Sequence, residues 1–224
     1  MTHIQTKGPL KFHTTYSKYN SYRSQKINDY YVFITDTQTI ITNSKRNDEI
    51  VGFFTTRYFN FERMEEFGCK GEEYFLFDLK DPTIWLYNTI SKSHSVQGLL
   101  GAKTEFKEGI FGKRENLLLL ERLYILPKYR GKKIASRIIY NLAKLMEIEV
   151  GEVGAVAVDL VPFEMNENLT KERILNSKTK TKKLYQLFTR CSYKLTPDTK
   201  YSEWGYFMYQ NTDLVYNKKK KKVS

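Results

Sequence analysis

One segment constrains the fold of this chain more than any other, the apolar run NLLLLERLYILP at residues 116–127. A short, near-continuous apolar run that is closed by proline is typical of a strand buried on both faces. After a basic turn, residues 134–150 repeat apolar side chains at helical spacing and stop at Gly151, which predicts an amphipathic helix. The run AVAVDLVP at 155–162 predicts a second buried strand. Strand, helix and strand in this order predict a parallel crossover unit and hence an α/β chain.

The N-terminal half carries weaker signals. YYVFITD at 30–36 is rich in β-branched and aromatic residues and predicts a strand. In 40–54, two apolar runs flank the polar turn NSKRND, which predicts a hairpin whose second strand covers about 50–58. Residues 14–29 are polar and tyrosine-rich, which favours one or two short helices. The segment 60–116 mixes a helical start, FERMEEFG, with extended and glycine-rich stretches, and we interpret it as an insertion that packs on the core.

The C-terminal part adds two elements and a tail. A helix is expected within 169–191, where many lysines and arginines accompany a few apolar residues. EWGYFMYQ at 203–210 predicts a last strand. Residues 216–224 are lysine-rich, and we expect them to be disordered. The chain has no internal repeat, so we expect residues 1–215 to form a single domain.

Composition decides which partners suit the chain. Its 224 residues are 41% hydrophobic and 15% aromatic, which is enough to build a real core. The net charge is +12, so nucleic acid, an acidic membrane surface, an acidic protein or a small polyanion is a suitable partner, whereas repulsion disfavours a polycationic substrate. No apolar run approaches the roughly 20 residues of a membrane span, and the N-terminus lacks the apolar middle of a signal peptide. We therefore expect a cytoplasmic protein with no membrane partner.

Cysteines and histidines show no spacing that is typical of metal ligands. The two cysteines, Cys69 and Cys191, are far apart in the sequence, and His3, His13 and His94 are scattered. We therefore expect reduced thiols and no metal site.

The turn between the buried strand and the helix, PKYRGKKIAS at 127–136, concentrates positive charge around one glycine. Taken alone, it is either an ordinary solvated loop or a cradle for a phosphate. A helix N-terminus exposes unpaired N–H groups and a partial positive charge, and Gly131 permits close approach of the backbone to an anion. Because a buried strand precedes the turn and a helix follows it, we favour the cradle. Its cationic side chains are Lys128, Arg130, Lys132 and Lys133.

The stretch LERLYILPKYRGKKIASRIIYNLAKL, within residues 120–146, resembles the central motif of the GCN5-related N-acetyltransferase (GNAT) superfamily. In that family a buried strand ends in a turn of the form Gln/Arg-x-x-Gly-x-Gly/Ala, and the turn opens a helix. LYQLFTRCSYKL at 184–195 resembles the family's next motif, whereas in the N-terminal half the resemblance rests on the hairpin. The resemblance implies the family's acyltransferase fold, a central twisted mixed β-sheet flanked by helices. It also implies acetyl-CoA as cofactor and direct transfer of an acetyl group to a primary amine.

The resemblance assigns a cofactor site. Backbone amides of the turn would hold the pyrophosphate of acetyl-CoA, and backbone groups of the strand would pair with the pantetheine arm. Gly131 matches the family pattern, whereas Lys128 stands where the family prefers Gln or Arg, and Lys133 where it prefers Gly or Ala. Asn166 or Asn168 either binds the cofactor or is a turn residue. The implied cofactor-binding residues are Leu123, Tyr124, Ile125, Arg130, Gly131, Lys132, Lys133, Ile134, Ala135 and Ser136.

Two side chains are candidates for catalysis. Transfer from a thioester to an amine needs a neutral amine and benefits from an acid for the departing thiolate. Glu121 is the only carboxylate of the strand, so it is either the base, with a pKa raised by burial, or a carboxylate paired with Arg122 or Arg130. Tyr185 is the candidate acid. The alternative is that Phe188 occupies the position of the family's catalytic tyrosine and that water serves as the acid.

The acceptor stays open among three kinds of amine: a protein lysine or N-terminus, an aminoacyl-tRNA, and a small molecule. The basic segment 171–190 and the lysines at 218–222 form a surface suited to RNA contact. The alternative from another class is a catalytically inactive module of the same fold, which binds nucleic acid or a protein partner through its basic surface. The expected oligomeric state is a monomer or a homodimer.

Overall fold

The computed structural model describes residues 2–5, 9–17, 33–66, 116–160, 182–195 and 207–212. The strands within these residues are β1 (Thr2–Gln5), β2 (Leu10–Ser17), β3 (Ile34–Asn43), β4 (Glu49–Phe59), β5 (Leu117–Ile125), β6 (Ala155–Asp159), β7 (Lys194–Leu195) and β8 (Phe207–Asn211). The helices are α1 (Phe61–Glu66), α2 (Ile134–Val150) and the helical residues 182–190, called α3. Single 3-10 turns cover Ser44–Arg46 and Pro127–Tyr129.

The eight strands form one mixed sheet in the order β1-β2-β3-β4-β5-β6-β8-β7. β5 and β6 run parallel, and the other neighbouring pairs of described strands run antiparallel. Parallel neighbours need a crossover connection, which α2 supplies between β5 and β6. The predicted crossover unit and the predicted α/β class with a central mixed sheet are therefore confirmed.

The predicted hairpin is formed by β3 and β4. Its turn is closed locally, because the Asn43 side chain accepts a hydrogen bond from the backbone N–H of Lys45 at 3.1 Å. Asn47 and Asp48 then adopt left-handed backbone conformations, with φ of 49° and 55°. Asn and Asp tolerate this conformation better than other side chains that carry a Cβ. The NSKRND sequence therefore specifies the reversal of the chain at this point.

The core lies between α2 and one face of the sheet. Leu118 and Leu120 of β5 and Val156 and Val158 of β6 belong to this core. Leu117 and Leu119 point to the opposite face by the alternation of a strand, and they are buried as well. The prediction of a strand buried on both faces is thus confirmed for residues 117–120. The buried face of α2 consists of Ile138, Ile139, Leu142, Ala143, Leu145 and Met146.

One part of the N-terminal prediction is wrong. Residues 14–17 belong to β2 and not to a helix. These residues form a strand because they pair with β3, and the buried hydroxyl of Thr14 lies 3.0 Å from that of Thr39 across the two strands. Cross-strand pairs of this kind stabilise a polar strand that has little periodic hydrophobicity. Residues 18–32, the insertion beyond Glu66, residues 161–181 with Asn166 and Asn168, and the lysine tail lie outside the described residues.

Candidate active site at the carboxyl end of strand β5

Strand β5 has two neighbours along its first half and one along its second. Its parallel ladder with β6 ends at the pair Leu120 and Val158. The antiparallel ladder with β4 continues to the pair Gly52 and Ile125. Within the described structure, residues 123–125 therefore have no strand partner on the side away from β4. An open strand edge can pair with the backbone-like amides of an extended ligand.

A β-bulge marks the point where the two ladders part. Thr55 pairs with Arg122 and Thr56 with Leu120, so Glu121 is the extra residue of the bulged strand. A bulge re-aims side chains and is frequent next to active sites. Here it coincides with the change from four buried leucines to a mostly exposed segment.

Glu121 lies in a cluster of charged side chains on the sheet. Its Oε1 is 3.6 Å from Nη2 of Arg57, and its side chain is 32% exposed. Arg57 in turn donates a hydrogen bond from Nε to Oδ1 of Asp36 at 2.8 Å. The expectation that Glu121 is buried is therefore wrong, because the bulge leaves it near the surface. The sequence also gave no sign of Arg57 as its partner.

Thr55 adds an unsatisfied polar atom beside this cluster. Its Oγ1 is buried and has no hydrogen-bond partner in the described part of the chain. Thr55 and Arg57 are two residues apart on β4, so their side chains project to the same face of the sheet. A buried hydroxyl without a partner is uncommon in native proteins and suits a site that receives a polar ligand.

The turn after β5 leads into the N-terminus of α2. Gly131 and Lys133 both have left-handed backbones, with φ of 76° and 60°. Lys133 is the N-cap of α2 but makes no capping hydrogen bond with its side chain, and the first turn of α2 holds no acidic residue. The first N–H groups of the helix, on Ile134, Ala135 and Ser136, have no intrahelical partner. A Cβ added to Gly131 would meet no atom of the described residues within 4 Å.

The cationic side chains of the turn make different contacts. Lys128 donates to the carboxylate of Glu49, which draws it into an ion pair with the hairpin. Arg130 donates from Nε to the carbonyl oxygen of Ile125 at 2.9 Å and lies 5.4 Å from the ring centre of Tyr124. The implied cofactor set contains Arg130 and omits Lys128, and in this structure both cations contact other residues of the chain.

Three side chains in α3 and just after it differ in burial. Tyr185 is 39% exposed, and its hydroxyl makes no hydrogen bond to another described residue. Phe188 is buried and packs edge-on against Tyr193, with ring centres 5.1 Å apart, so it is a core residue. Cys191 is also buried, its Sγ lies 3.5 Å from the carbonyl oxygen of Ser136, and burial raises the pKa of its thiol. The end of α3 thus contacts the first turn of α2.

The structure brings most of the implied cofactor-binding residues to one place, the end of β5 and the start of α2. It does not join Tyr185 to Glu121 through any hydrogen bond between described residues. Sequence reasoning missed Asp36, Arg57 and Glu49. The available signal was an ionisable residue inside an otherwise apolar or threonine-rich strand, which Asp36 and Arg57 both are.

The described residues contain no group of His, Cys, Asp and Glu that is suited to a metal ion. None of the helices found in them has the length and apolar character needed to cross a membrane.

The sequence matches no model of a known protein family and no curated protein sequence. Several solved structures resemble the chain. Arylalkylamine N-acetyltransferase 2 from Aedes aegypti is 12% identical, with 78% of this chain and 72% of that chain covered and a TM-score of 0.39. The polyamine N-acetyltransferase of Drosophila melanogaster is 12% identical, with 78% and 74% covered and a TM-score of 0.38. The AtaTR complex bound with acetyl-CoA is 10% identical, with 93% and 97% covered and a TM-score of 0.41.

Two of these three proteins are N-acetyltransferases by name, the class that the sequence motif resembles.

Proposed function

We propose that the chain is an acetyl-CoA-dependent N-acetyltransferase of the GNAT superfamily, which moves an acetyl group directly to a primary amine. One observation carries the proposal. A strand whose second half pairs only with β4 among the described residues, a carboxylate at its bulge and a basic helix N-terminus follow one another within residues 121–136. A ligand with a polyanionic end and an extended, amide-containing arm fits this order of features.

The turn and the start of α2 suit the phosphates of the cofactor. The N–H groups of Ile134, Ala135 and Ser136 supply hydrogen-bond donors and the positive end of the helix dipole. Lys132 and Lys133 add positive charge, and Gly131 leaves open space for the approach of the anion. No acidic side chain of the first helical turn opposes the anion.

The open edge of β5 suits the pantetheine arm. Within the described structure, residues 123–125 pair with no strand on the side away from β4, and an extended amide chain can align there as a further strand. Arg130 stabilises the end of this edge through its hydrogen bond to Ile125. When bound, the cofactor supplies an acetyl group activated as a thioester. The protein holds it still beside the amine, which is where much of the rate of such a transfer originates.

Glu121 lies where the pantetheine arm would reach the bulge, and we propose that Glu121 is the base that accepts a proton from the acceptor ammonium. Arg57, which is held by Asp36, positions the Glu121 carboxylate. Tyr185 is the proposed acid for the departing thiolate. Its support is that it is exposed and lies on α3, whose end contacts Ser136 of α2.

The acceptor is a protein lysine or N-terminus, an aminoacyl-tRNA or a small amine, and exposed Lys182, Lys183 and Arg190 of α3 favour RNA contact.

Isothermal titration with acetyl-CoA tests the cofactor assignment. Saturable binding below about 1 mM is expected. No binding at that concentration contradicts the enzyme and favours the inactive module that binds nucleic acid or a protein partner. Incubation with labelled acetyl-CoA and a cell lysate then identifies the acceptor, because the label enters RNA, protein or small molecules.

The substitution Glu121→Gln tests the base. Loss of a general base lowers the transfer rate by roughly 100-fold or more, while affinity for acetyl-CoA stays within about twofold. Glu66→Gln is the matched control, since Glu66 is exposed at the end of α1, and it should leave both quantities unchanged. Equal loss of rate and affinity in Glu121→Gln means that Glu121 acts on the structure and not as a base.

A further inference from the structure

The β3–β4 hairpin contacts the basic turn through one carboxylate. Glu49 opens β4, and its carboxylate accepts hydrogen bonds from the Lys128 ammonium and from the Tyr129 hydroxyl. These residues are about 80 positions apart in sequence, so the contact exists only in the folded protein. Of the described cations, Arg46 is the other one near Glu49, with Nη1 4.0 Å from Oε2.

Tyr129 links this carboxylate to the first residues before α2. Its side chain is only 3% exposed and belongs to the core. The Lys132 ammonium lies 5.1 Å from the centre of its ring, within the range of a cation–π interaction. The ring whose hydroxyl donates to Glu49 therefore also contacts Lys132, two residues before α2, and its centre lies 5.4 Å from the Lys128 ammonium.

Two effects of Glu49 on a bound polyanion have opposite signs. As a negative charge near the turn, Glu49 repels phosphates and weakens their binding. As an anchor for Tyr129, it holds Lys132 in place and strengthens the binding. The hydrogen bond from Lys128, followed by that from Tyr129, holds the pKa of Glu49 below its usual value, so Glu49 is ionised at neutral pH.

We propose that Glu49 is a positioning residue for the coenzyme phosphates: its carboxylate fixes Tyr129, and the Tyr129 ring fixes Lys132 at the start of α2. The inference rests on the proposed function and adds to it a residue outside the strand–turn–helix motif. It assigns to the β3–β4 hairpin a part in binding the cofactor.

The test is calorimetric titration of coenzyme A into the full chain and its variants. Glu49→Ala removes the anchor together with a negative charge, and Tyr129→Phe removes only the hydroxyl. Each is expected to weaken binding roughly threefold to tenfold, as for the loss of one hydrogen bond. Asp48→Asn is the matched control. It removes a negative charge from the same hairpin, but Asp48 pairs with Lys11 at 2.9 Å, so binding should be unchanged or slightly tighter.

A second arm separates positioning from general damage to the fold. Lys132→Met is expected to weaken binding roughly threefold in the wild-type chain and much less in the Glu49→Ala background, because Lys132 is no longer held there. Equal effects of Lys132→Met in the two backgrounds overturn the proposal. If Glu49→Ala does not fold, Tyr129→Phe serves as the background instead.

The sign of the Glu49→Ala effect is decisive. Binding that is unchanged or tighter means that Glu49 acts only as a charge, and the proposal is then wrong. An unchanged affinity of Tyr129→Phe has the same meaning. If the wild-type chain itself binds no coenzyme A, the proposed function fails and this inference fails with it. If the wild-type chain binds and the variants match it, only this inference fails.

Discussion

The two halves of β5 differ in almost every respect. Residues 117–120 are all buried and pair with β4 on one side and β6 on the other. Among the described strands, residues 121–125 pair with β4 alone, and most of their side chains are exposed or half-buried. The first half satisfies its backbone and side chains inside the protein, whereas the second leaves an edge and several polar groups for a ligand. The start of the strand thus belongs to the core, and its end carries the residues of the proposed site.

The largest expected effect is a difference between the two halves of β5 in their contribution to the free energy of unfolding. Leu118→Ala removes a fully buried side chain and is expected to lower the free energy of unfolding by about 2–5 kcal/mol. Tyr124→Ala, in the second half, removes a side chain that is 37% exposed and should cost less. Urea unfolding monitored by circular dichroism measures both variants. Similar losses for the two would remove the distinction between the halves.

The next effect concerns the charged cluster at the bulge. Arg57→Gln leaves the Asp36 carboxylate without its bridging cation, and we expect a loss of about 1–2 kcal/mol in unfolding free energy, because the pair is only partly exposed. The acetyl transfer rate should fall as well, since Glu121 loses its partner. Lys144→Gln on α2, where the lysine is exposed, is the control with the same change in charge. A transfer rate unchanged by Arg57→Gln would show that Arg57 does not position Glu121.

A smaller effect is expected at the turn. Lys133 has a left-handed backbone, which costs a residue with a Cβ roughly 1–2 kcal/mol, whereas glycine adopts it freely. Lys133→Gly should therefore stabilise the fold by about 0.5 kcal/mol after the greater flexibility of glycine in the unfolded chain is counted. Lys133→Ala keeps the Cβ and should give no such gain. Thermal unfolding of both variants checks this, and equal midpoints would mean that the strain is absent.

The smallest effect depends on pH. The pKa of Glu49 is lowered in the folded chain, chiefly by the hydrogen bond from Lys128. The stabilisation that Glu49 provides is therefore complete above its unfolded pKa and is lost as the pH falls through the folded pKa. The melting temperature of the wild-type chain should exceed that of Glu49→Gln at about pH 7, and the gap should shrink towards about pH 3. A gap that is constant over this range would mean that Glu49 is not ionised when folded.

The parts of the fold that could be predicted are those with strong local patterns. The leucines at 117–120, the helical repeat of α2 and the NSKRND turn each determine their element through neighbouring residues. β1 and β2 could not be predicted in this way, because their largely polar residues form strands by pairing with distant residues, β2 with β3 and β1 with β2. The same limit applies to the site. The basic turn is contiguous and was found, whereas Asp36, Arg57 and Glu49 come from other strands.

The sequence by itself determined the crossover unit and placed the basic turn between its strand and its helix, since both follow from the order of apolar and basic residues along one continuous segment. Only the tertiary structure decided which cations of the turn are free. Lys128 and Lys132 are four residues apart and lie 5.4 Å and 5.1 Å from the centre of the Tyr129 ring, yet in the described structure only Lys128 is also paired with Glu49. The tertiary structure also decided that Glu121 faces Arg57 at a bulge and that its side chain is not buried. Register between strands sets such contacts, and a single sequence read along its length does not reveal register between distant segments.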